Sequence, residues 1–485
     1  MSPGARTLDE AIAAVRAGPQ GPGIVAVFDF GGTVVHGFTP RPPLRRLLRR
    51  RDARAVLAET LLTSIRGARA EGEYERFLQR IMYAWAGHSE IELTDLGVHL
   101  FRRTIYGHLY PEAWRLIRAH QAAGHTLVLA SCLPGFQVLP AATELGFEHV
   151  LYTPMAAQDG VLTGHVDGKP LWRSGKADAV RRFAAARGLD LSLGYAYADA
   201  APDLPLLEAA GLPTAVNPDP RMSIQAADRG WPMLSFRPRS DAGLLDIART
   251  AAGFAGLLGG AAAGVVIAAP SGTASRTRDR RRMADSMITH AASATLRTTG
   301  VRIRVSGAEH ARAPRPAVFV FNHQSQFDMV VLAAVLGAGF TGIVKKEVTA
   351  NPVFGPLLRF AGATFIDRAD SAGARAALAP VVQTLHDGLS IVIAPEGTRS
   401  LTPRVGPFKK GAFHIAKQAG VPIIPVVIRN AGEIAWRNSA VVRRGAVDVA
   451  VLPPIDVSGW DADDMADEVE RVRQLVIGTL SDWPD

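Results

Sequence analysis

Two α/β domains in tandem are the fold class that this chain predicts, and three observations carry the prediction. Short apolar runs of strand length, such as Ile24–Phe28, Thr126–Ala130 and Ala317–Phe321, alternate with helix-like stretches in both halves. That pattern belongs to sheets covered by helices. The length, 485 residues, exceeds what one hydrophobic core usually serves. Between the halves, the 20 residues from Thr250 to Ala269 carry no charge, enough for a helix to cross or enter a hydrocarbon core. The expected partition is a first domain over residues 1–240, an apolar helix with a basic linker over 241–284, and a second domain over 285–485.

Composition narrows the function classes. Net charge is +9 and the isoelectric point is near 10.0, which would suit nucleic acid, but acidic lipid headgroups attract the same charge. No nucleic-acid-binding motif or nucleotide fingerprint is present, so a membrane is the expected partner and nucleic acid is not. The single cysteine, Cys132, excludes intramolecular disulfides and thiolate clusters and agrees with a reducing compartment. Met1 to Gly18 has no apolar signal core and carries Asp9 and Glu10, so it does not read as a secretory leader. The expectation is a membrane-associated protein with its catalytic domains on the cytoplasmic side.

In the first half, the strand run Ile24–Phe28 ends in Asp29-Phe30-Gly31-Gly32-Thr33. A carboxylate at the carboxyl end of a strand is where open α/β sheets bind ligands. Thr126–Ala130 ends in Ser131, Lys176 follows Gly175 at the start of a helix, and Tyr195–Ala198 ends in Asp199, with Asp203 four residues on. That order resembles the haloacid dehalogenase superfamily of phosphohydrolases, especially its phosphoserine-phosphatase-like branch, over residues 22–235. The resemblance implies a Rossmann-like domain with a helical cap over about residues 40–110, Asp29 as the nucleophile, and Ser131 and Lys176 on the phosphoryl oxygens. It also implies a magnesium ion at Asp29, Asp199 and Asp203. The superfamily's second aspartate, two residues after the nucleophile, handles the proton of the leaving oxygen; here it is Gly31, and Ala200 stands where a serine is usual. A general acid or base contributes about a hundred- to ten-thousandfold, so phosphatase activity is expected to be weak or absent. Arg45, Arg46, Arg49, Arg50 and Arg51 make the cap region basic, a face for lipid or simply for water.

At the join, Gly256, Gly260 and Gly264 recur every fourth residue of the uncharged run. Such spacing lets another helix approach closely, and the expectation is a partner helix or a second copy of the chain. Arg276, Arg278, Arg280, Arg281 and Arg282 follow, as on the cytoplasmic flank of a membrane-embedded segment. Met283–Leu296 then reads as an interfacial helix.

The second half centres on Asn322-His323-Gln324-Ser325-Gln326-Phe327-Asp328, after the strand run Ala317–Phe321 and before the helix-like Met329–Leu336. A carboxylate five residues after a histidine can hold the imidazole in one tautomer and make it a general base. Ile343-Val344-Lys345-Lys346-Glu347, Gly362–Arg368, Pro395-Glu396-Gly397-Thr398-Arg399-Ser400 and Val421–Val426 follow in order. The ordered set resembles the glycerolipid acyltransferase family, enzymes that acylate lysophosphatidic acid, over residues 285–455.

The resemblance implies acyl transfer from acyl-CoA or an acyl carrier protein thioester to a lysophospholipid such as 1-acylglycerol 3-phosphate. His323 is then the base and Asp328 its orienting group. The family's phosphate-binding block maps to Glu396, Gly397, Thr398 and Arg399. Arg368 and Arg399 offer planar forks for a phosphate dianion, and Lys345 or Lys346 a point charge. Pro422 and Pro425 are expected to shape an edge strand, and Asp464–Leu480 to form a closing amphipathic helix. Two other readings stand beside acyl transfer: a working phosphatase in the first half, or a first half that only binds a phospholigand and regulates the second.

Overall fold

The computed structural model describes residues 4–37, 79, 82–83, 85–238, 243–269, 276–312, 314–345, 349–352, 354–366, 379–437, 439, 441–461 and 464–484. It divides into two compact units, residues 1–241 and 242–485. The apolar segment therefore belongs to the second unit. The arginines of the cap region, Arg45, Arg46, Arg49, Arg50 and Arg51, lie outside the described residues.

The first unit is a six-stranded parallel sheet in the order β3-β2-β1-β6-β7-β8. Its strands are β1 (Val25–Asp29), β2 (Thr126–Pro134), β3 (His149–Thr153), β6 (Tyr195–Ala198), β7 (Leu212–Val216) and β8 (Met233–Leu234), with β4 (Met155–Gln158) and β5 (Val161–Val166) forming a separate antiparallel pair. Every residue of β1 is buried because both faces are covered. Val25 and Val27 join the core that includes Val180 and Phe183 of α4 (Ser174–Arg187). Phe28 points the other way, stacked on Tyr197 at 4.6 Å and edge-on to His120 of α2 (Pro111–Ala122). Helices α1 (Leu8–Ala17), which begins in a Thr7–Glu10 capping box, α3 (Gly135–Leu145) and α5 (Pro220–Asp228) complete this unit's long helices outside the cap. The chain runs from β1 out through β2 and β3 and returns to the far side of β1 as β6, so the crevice for a ligand opens at the carboxyl end of β1.

The second unit carries a seven-stranded sheet in the order β12-β11-β13-β10-β14-β15-β9. The strands are β9 (Arg302–Ser306), β10 (Val318–Phe321), β11 (Phe340–Lys345), β12 (Thr364–Ile366), β13 (Ser390–Ile393), β14 (Ile423–Arg429) and β15 (Ala446–Val451). Only the β14–β15 pair is antiparallel. Strand β10 alternates between two cores. Phe319 and Phe321 pack with Val331 and Leu332 of α8 (Asp328–Leu336). Val318 and Val320 pack with the cluster formed by α9 (Ala379–His386), α10 (Gly411–Ala419) and α11 (Met465–Ser481). The closing helix falls where the amphipathic pattern put it, burying Val469, Val472 and Val476.

One expectation is corrected. Strand β14 is interior, flanked by β10 and β15, and Pro425 sits opposite Val320. The proline is tolerated because Leu452 donates its N–H to the Pro425 carbonyl and no return bond is needed. The glycine face of α6 (Leu244–Ile267) does receive a partner helix, and it comes from within the chain: α7 (Arg276–Thr299). A Cβ on Gly256, Gly260 or Gly264 would stand 2.6 Å from Thr298 Oγ1, 2.5 Å from His290 O and 2.5 Å from Ser286 O respectively. Helix α7 packs through one face, where Ala284, Met287, Ala291 and Ala292 are buried. The other face of α6 is apolar and exposed at Leu244, Ile247, Phe254, Leu258 and Val266.

Candidate functional site

Asp29 ends β1 and pairs in register with Ala130, so Ser131 emerges beside it; Asp199 emerges from β6 on the other side. Lys176, in the first turn of α4, is fully buried and its ammonium lies 2.6 Å from both Asp29 Oδ1 and Asp203 Oδ1. Burial works against the charged lysine, yet the two carboxylates outweigh it and raise its pKa. Carboxylate oxygens of Asp29, Asp199 and Asp203 lie within 4.8 Å of one another. Burial pushes Asp29 up to about 6, with Lys176 opposing the shift and Asp203 adding to it. Burial, then the charges of Asp29 and Asp203, push Asp199 up to about 8. One lysine does not offset three carboxylates. The donor set is all oxygen and short of positive charge, so it fits a magnesium ion.

Two glycines shape this crevice differently. Gly32 has φ +83°, and a side chain there would collide with the Asp199 carboxylate. Gly31 has no such constraint: nothing stands within 4 Å of where its Cβ would be. Asn217 donates from Nδ2 to the Gly32 carbonyl at 3.1 Å, and Asp219 accepts the N–H of Ala201 at 3.0 Å. Both come from the loop after β7 and were not foreseen, because neither stands in the quoted motifs.

In the second unit His323 leaves the end of β10, and its Nδ1 lies 2.8 Å from Asp328 Oδ2. The same oxygen accepts the N–H groups of Gln324 and Ser325 at 2.9 Å, and Asp328 is fully buried at the start of α8. Asn322 anchors the strand end, giving Nδ2–H to Ile428 O at 2.8 Å and accepting Ile428 N–H at 2.7 Å. Ser325 donates to Ala435 O and accepts from Phe327 N–H at 2.9 Å, and Gln326 donates to Ser439 O. Phe321 meets the imidazole edge-on at 5.3 Å.

Glu396 leaves the end of the neighbouring β13 and turns inward. Its carboxylate accepts the His323 N–H at 2.9 Å, the Ser400 hydroxyl at 2.5 Å and the Gly406 N–H at 2.8 Å. Burial raises its pKa, and those three donors oppose the rise. Ser400 N–H closes the loop by donating to His323 O at 2.7 Å. The glutamate is therefore occupied by the protein, while Thr398 is exposed and Arg399 half-buried. Gly397 has φ +75°, a turn conformation that a side chain would strain. Arg437 donates to the Arg399 carbonyl at 2.7 Å, and Arg473 of α11 holds Val405 O and Gly406 O. Lys345 ends β11, but its side chain, Lys346 and Arg368 lie outside the described residues.

Comparison with known proteins follows this division. The profile of the acyltransferase family matches residues 302–429, and that of the haloacid dehalogenase-like hydrolases matches residues 26–208. The 1-acyl-sn-glycerol-3-phosphate acyltransferase of Limnanthes douglasii is 33% identical over 183 residues, 37% of this chain and 64% of that protein. The human 1-acyl-sn-glycerol-3-phosphate acyltransferase alpha is 35% identical over 179 residues, 37% of this chain and 63% of that protein. An uncharacterized acyltransferase of Schizosaccharomyces pombe is 35% identical over 187 residues, 38% of this chain and 67% of that protein. The chain thus spans about two thirds of the length of these relatives. Through its second domain the chain belongs to the acyltransferase family, and its first domain is a haloacid dehalogenase-like hydrolase domain.

Proposed function

We propose that this chain transfers a fatty acyl group from a thioester donor, acyl-CoA or an acyl carrier protein, to the free hydroxyl of 1-acylglycerol 3-phosphate, giving phosphatidic acid. The observation that carries the reading is the 2.8 Å His323–Asp328 pair, set on a loop bonded to the Glu396–Ser400 turn. With Nδ1–H donated to Asp328, Nε2 is left with its lone pair to take the proton from the attacking hydroxyl. The new C–O bond forms as the thioester carbonyl becomes tetrahedral. Collapse breaks the C–S bond, and the imidazolium returns the proton to the departing thiolate. Arg399, with Arg368 and a lysine of the Lys345–Lys346 pair, receives the acceptor phosphate. Purified protein in detergent, supplied with labelled acyl-CoA or acyl carrier protein and a panel of lysophospholipids, tests this. The expected product is phosphatidic acid, and its absence with every donor overturns the reading.

Association with a membrane is part of the same reading. Helix α6 is, among the described residues, long and apolar enough to cross a bilayer, with a mean hydropathy of 1.7. Its glycine face is taken by α7, which also carries Arg280, Arg281, Arg282, His290 and Arg297. A helix so accompanied is ill suited to hydrocarbon on all sides, so we read α6 as lying in the interface with its exposed face dipped into lipid. Both domains then work on the cytoplasmic side.

For the first domain, Gly31 favours a site that binds a phosphorylated ligand and turns it over slowly. Asp29, Asp199 and Asp203 would hold magnesium, which when bound offsets the charge of a phosphoryl group. Lys176 and Ser131 would hold its oxygens.

A further inference from the structure

The Glu396–Ser400 turn has a cationic neighbour from further along the chain. Lys409 donates its N–H to Pro395 O at 2.9 Å and extends its side chain over Gly397, so that a Cβ there would stand 3.1 Å from both Lys409 Cε and Nζ. Gly397 is constrained by its φ of +75°, and the flexible end of the Lys409 side chain lies beside it. Lys409 is exposed, and among the described residues no carboxylate pairs with it. Arg399 is the cation within the turn, and Arg437, from outside it, commits a guanidinium N–H to the Arg399 carbonyl. The buried carboxylate at hand, Glu396, is occupied by His323, Ser400 and Gly406. The turn itself is fastened to both the N–H and the carbonyl of His323. A dianion arriving at the turn beside the catalytic histidine would therefore meet a compact ammonium close to the glycine.

We infer that Lys409 is a specificity-determining residue for the acceptor, its ammonium pairing with the acceptor's phosphate from the Gly397 side of the turn while Arg399 serves the other end. The inference rests on the acyl-transfer reading above. An ammonium is a point charge on a flexible stem, so it selects for negative charge without demanding bidentate geometry. Its contribution should fall on acceptor binding, leaving the proton transfer at His323 untouched.

The test is a kinetic comparison of the full chain with Lys409→Met, which keeps the stem and removes the charge, and Lys409→Arg, which restores a cation. Acceptors are lysophosphatidic acid and monoacylglycerol, the same acyl chain without its phosphate. For Lys409→Met the expected result is a rise of about tenfold in KM for lysophosphatidic acid, as for loss of a charge-assisted hydrogen bond. Donor KM and kcat should stay within about twofold, preference over monoacylglycerol should narrow by the same factor, and Lys409→Arg should recover most of it. An unchanged acceptor KM and preference in Lys409→Met, with wild type active on lysophosphatidic acid, overturns the role of Lys409 alone. Wild type that acylates neither acceptor overturns the acyl-transfer reading and this inference with it. A change confined to donor KM moves Lys409 to the thioester site and overturns the assignment.

Discussion

One oxygen of Asp328 serves three donors at once: His323 Nδ1 at 2.8 Å and the N–H groups of Gln324 and Ser325 at 2.9 Å. The aspartate thus holds the imidazole and the loop that presents it. His323→Ala should lower kcat by about a hundred- to ten-thousandfold, the usual worth of a general base, with an unchanged melting temperature. Asp328→Asn should lower kcat less and also lower the melting temperature, because the loop N–H groups lose a charged acceptor. Acyl transfer by the purified variants, with circular dichroism melts, checks both. Near-normal turnover in folded His323→Ala protein would falsify the mechanism.

Glu396 should behave as a positioning residue. In Glu396→Gln one carboxylate oxygen becomes an amide that cannot accept from donors on both sides, and a buried mismatch costs about 1–3 kcal/mol. The expected outcome is a fall in kcat for phosphate-bearing and neutral acceptors alike, since the turn that fixes the His323 loop loses an acceptor on one side or the other. A variant with normal kcat and a raised KM only for phosphate-bearing acceptors would mean that the side chain faces substrate.

Gly31→Asp should raise magnesium-dependent phosphomonoesterase activity of the full chain by up to about a hundred- to ten-thousandfold. The position has room for a carboxylate, since nothing lies within 4 Å of its Cβ direction. Hydrolysis of small phosphomonoesters by native, Gly31→Asp and Asp29→Asn proteins decides it. A brisk native rate would show that Gly31 is no impediment, and a mutant no better than Asp29→Asn would show that more than one residue is lacking.

The outer face of α6 should govern lipid binding. Replacing exposed Phe254 and Leu258 by Ser removes apolar area without touching the glycine face against α7. Vesicle flotation should then lose most of the bound protein, the remainder being released by salt. Gly260→Leu should instead lower the melting temperature, because it forces α6 off the His290 carbonyl. Full flotation of the double Ser variant at high salt would exclude this face as the anchor.

The first domain should lose stability in mild acid. His120 Nδ1 lies 2.8 Å from His125 Nδ1 and its Nε2 2.8 Å from Tyr197 OH, with the ring fully buried. Burial, and then His125, lower its pKa to about 3; burial lowers that of His125. A histidine whose folded pKa lies below its unfolded value of about 6.5 adds its full stability above that pH and loses it as pH falls toward 3. The slope is at most about 1.4 kcal/mol per pH unit for His120. Melting temperatures from pH 7.5 to 4.5 should decline less steeply in His120→Gln than in the native chain, and equal slopes would remove these histidines from the account.

Strand runs and the closing helix were legible because periodicity reports how many faces of a local segment are buried, and Val318–Phe321 and Val469–Val476 carry that report in their own residues. Asp29 and His323 were marked for a related reason, a polar residue at the end of an apolar strand run, while Lys176, Asp328 and Glu396 were marked by their place in the ordered blocks. What periodicity does not encode is which distant segment supplies the partner. Only the tertiary structure decided that Glu396 turns inward to a histidine 73 residues earlier, and that Lys409 lies beside Gly397. It also decided that β14 is interior and that the glycine face of α6 is filled by α7. A stripe of small residues specifies close approach by any helix, a glutamate in a turn specifies any set of donors, and the choice among them is made by chain geometry that brings non-local groups within hydrogen-bond reach.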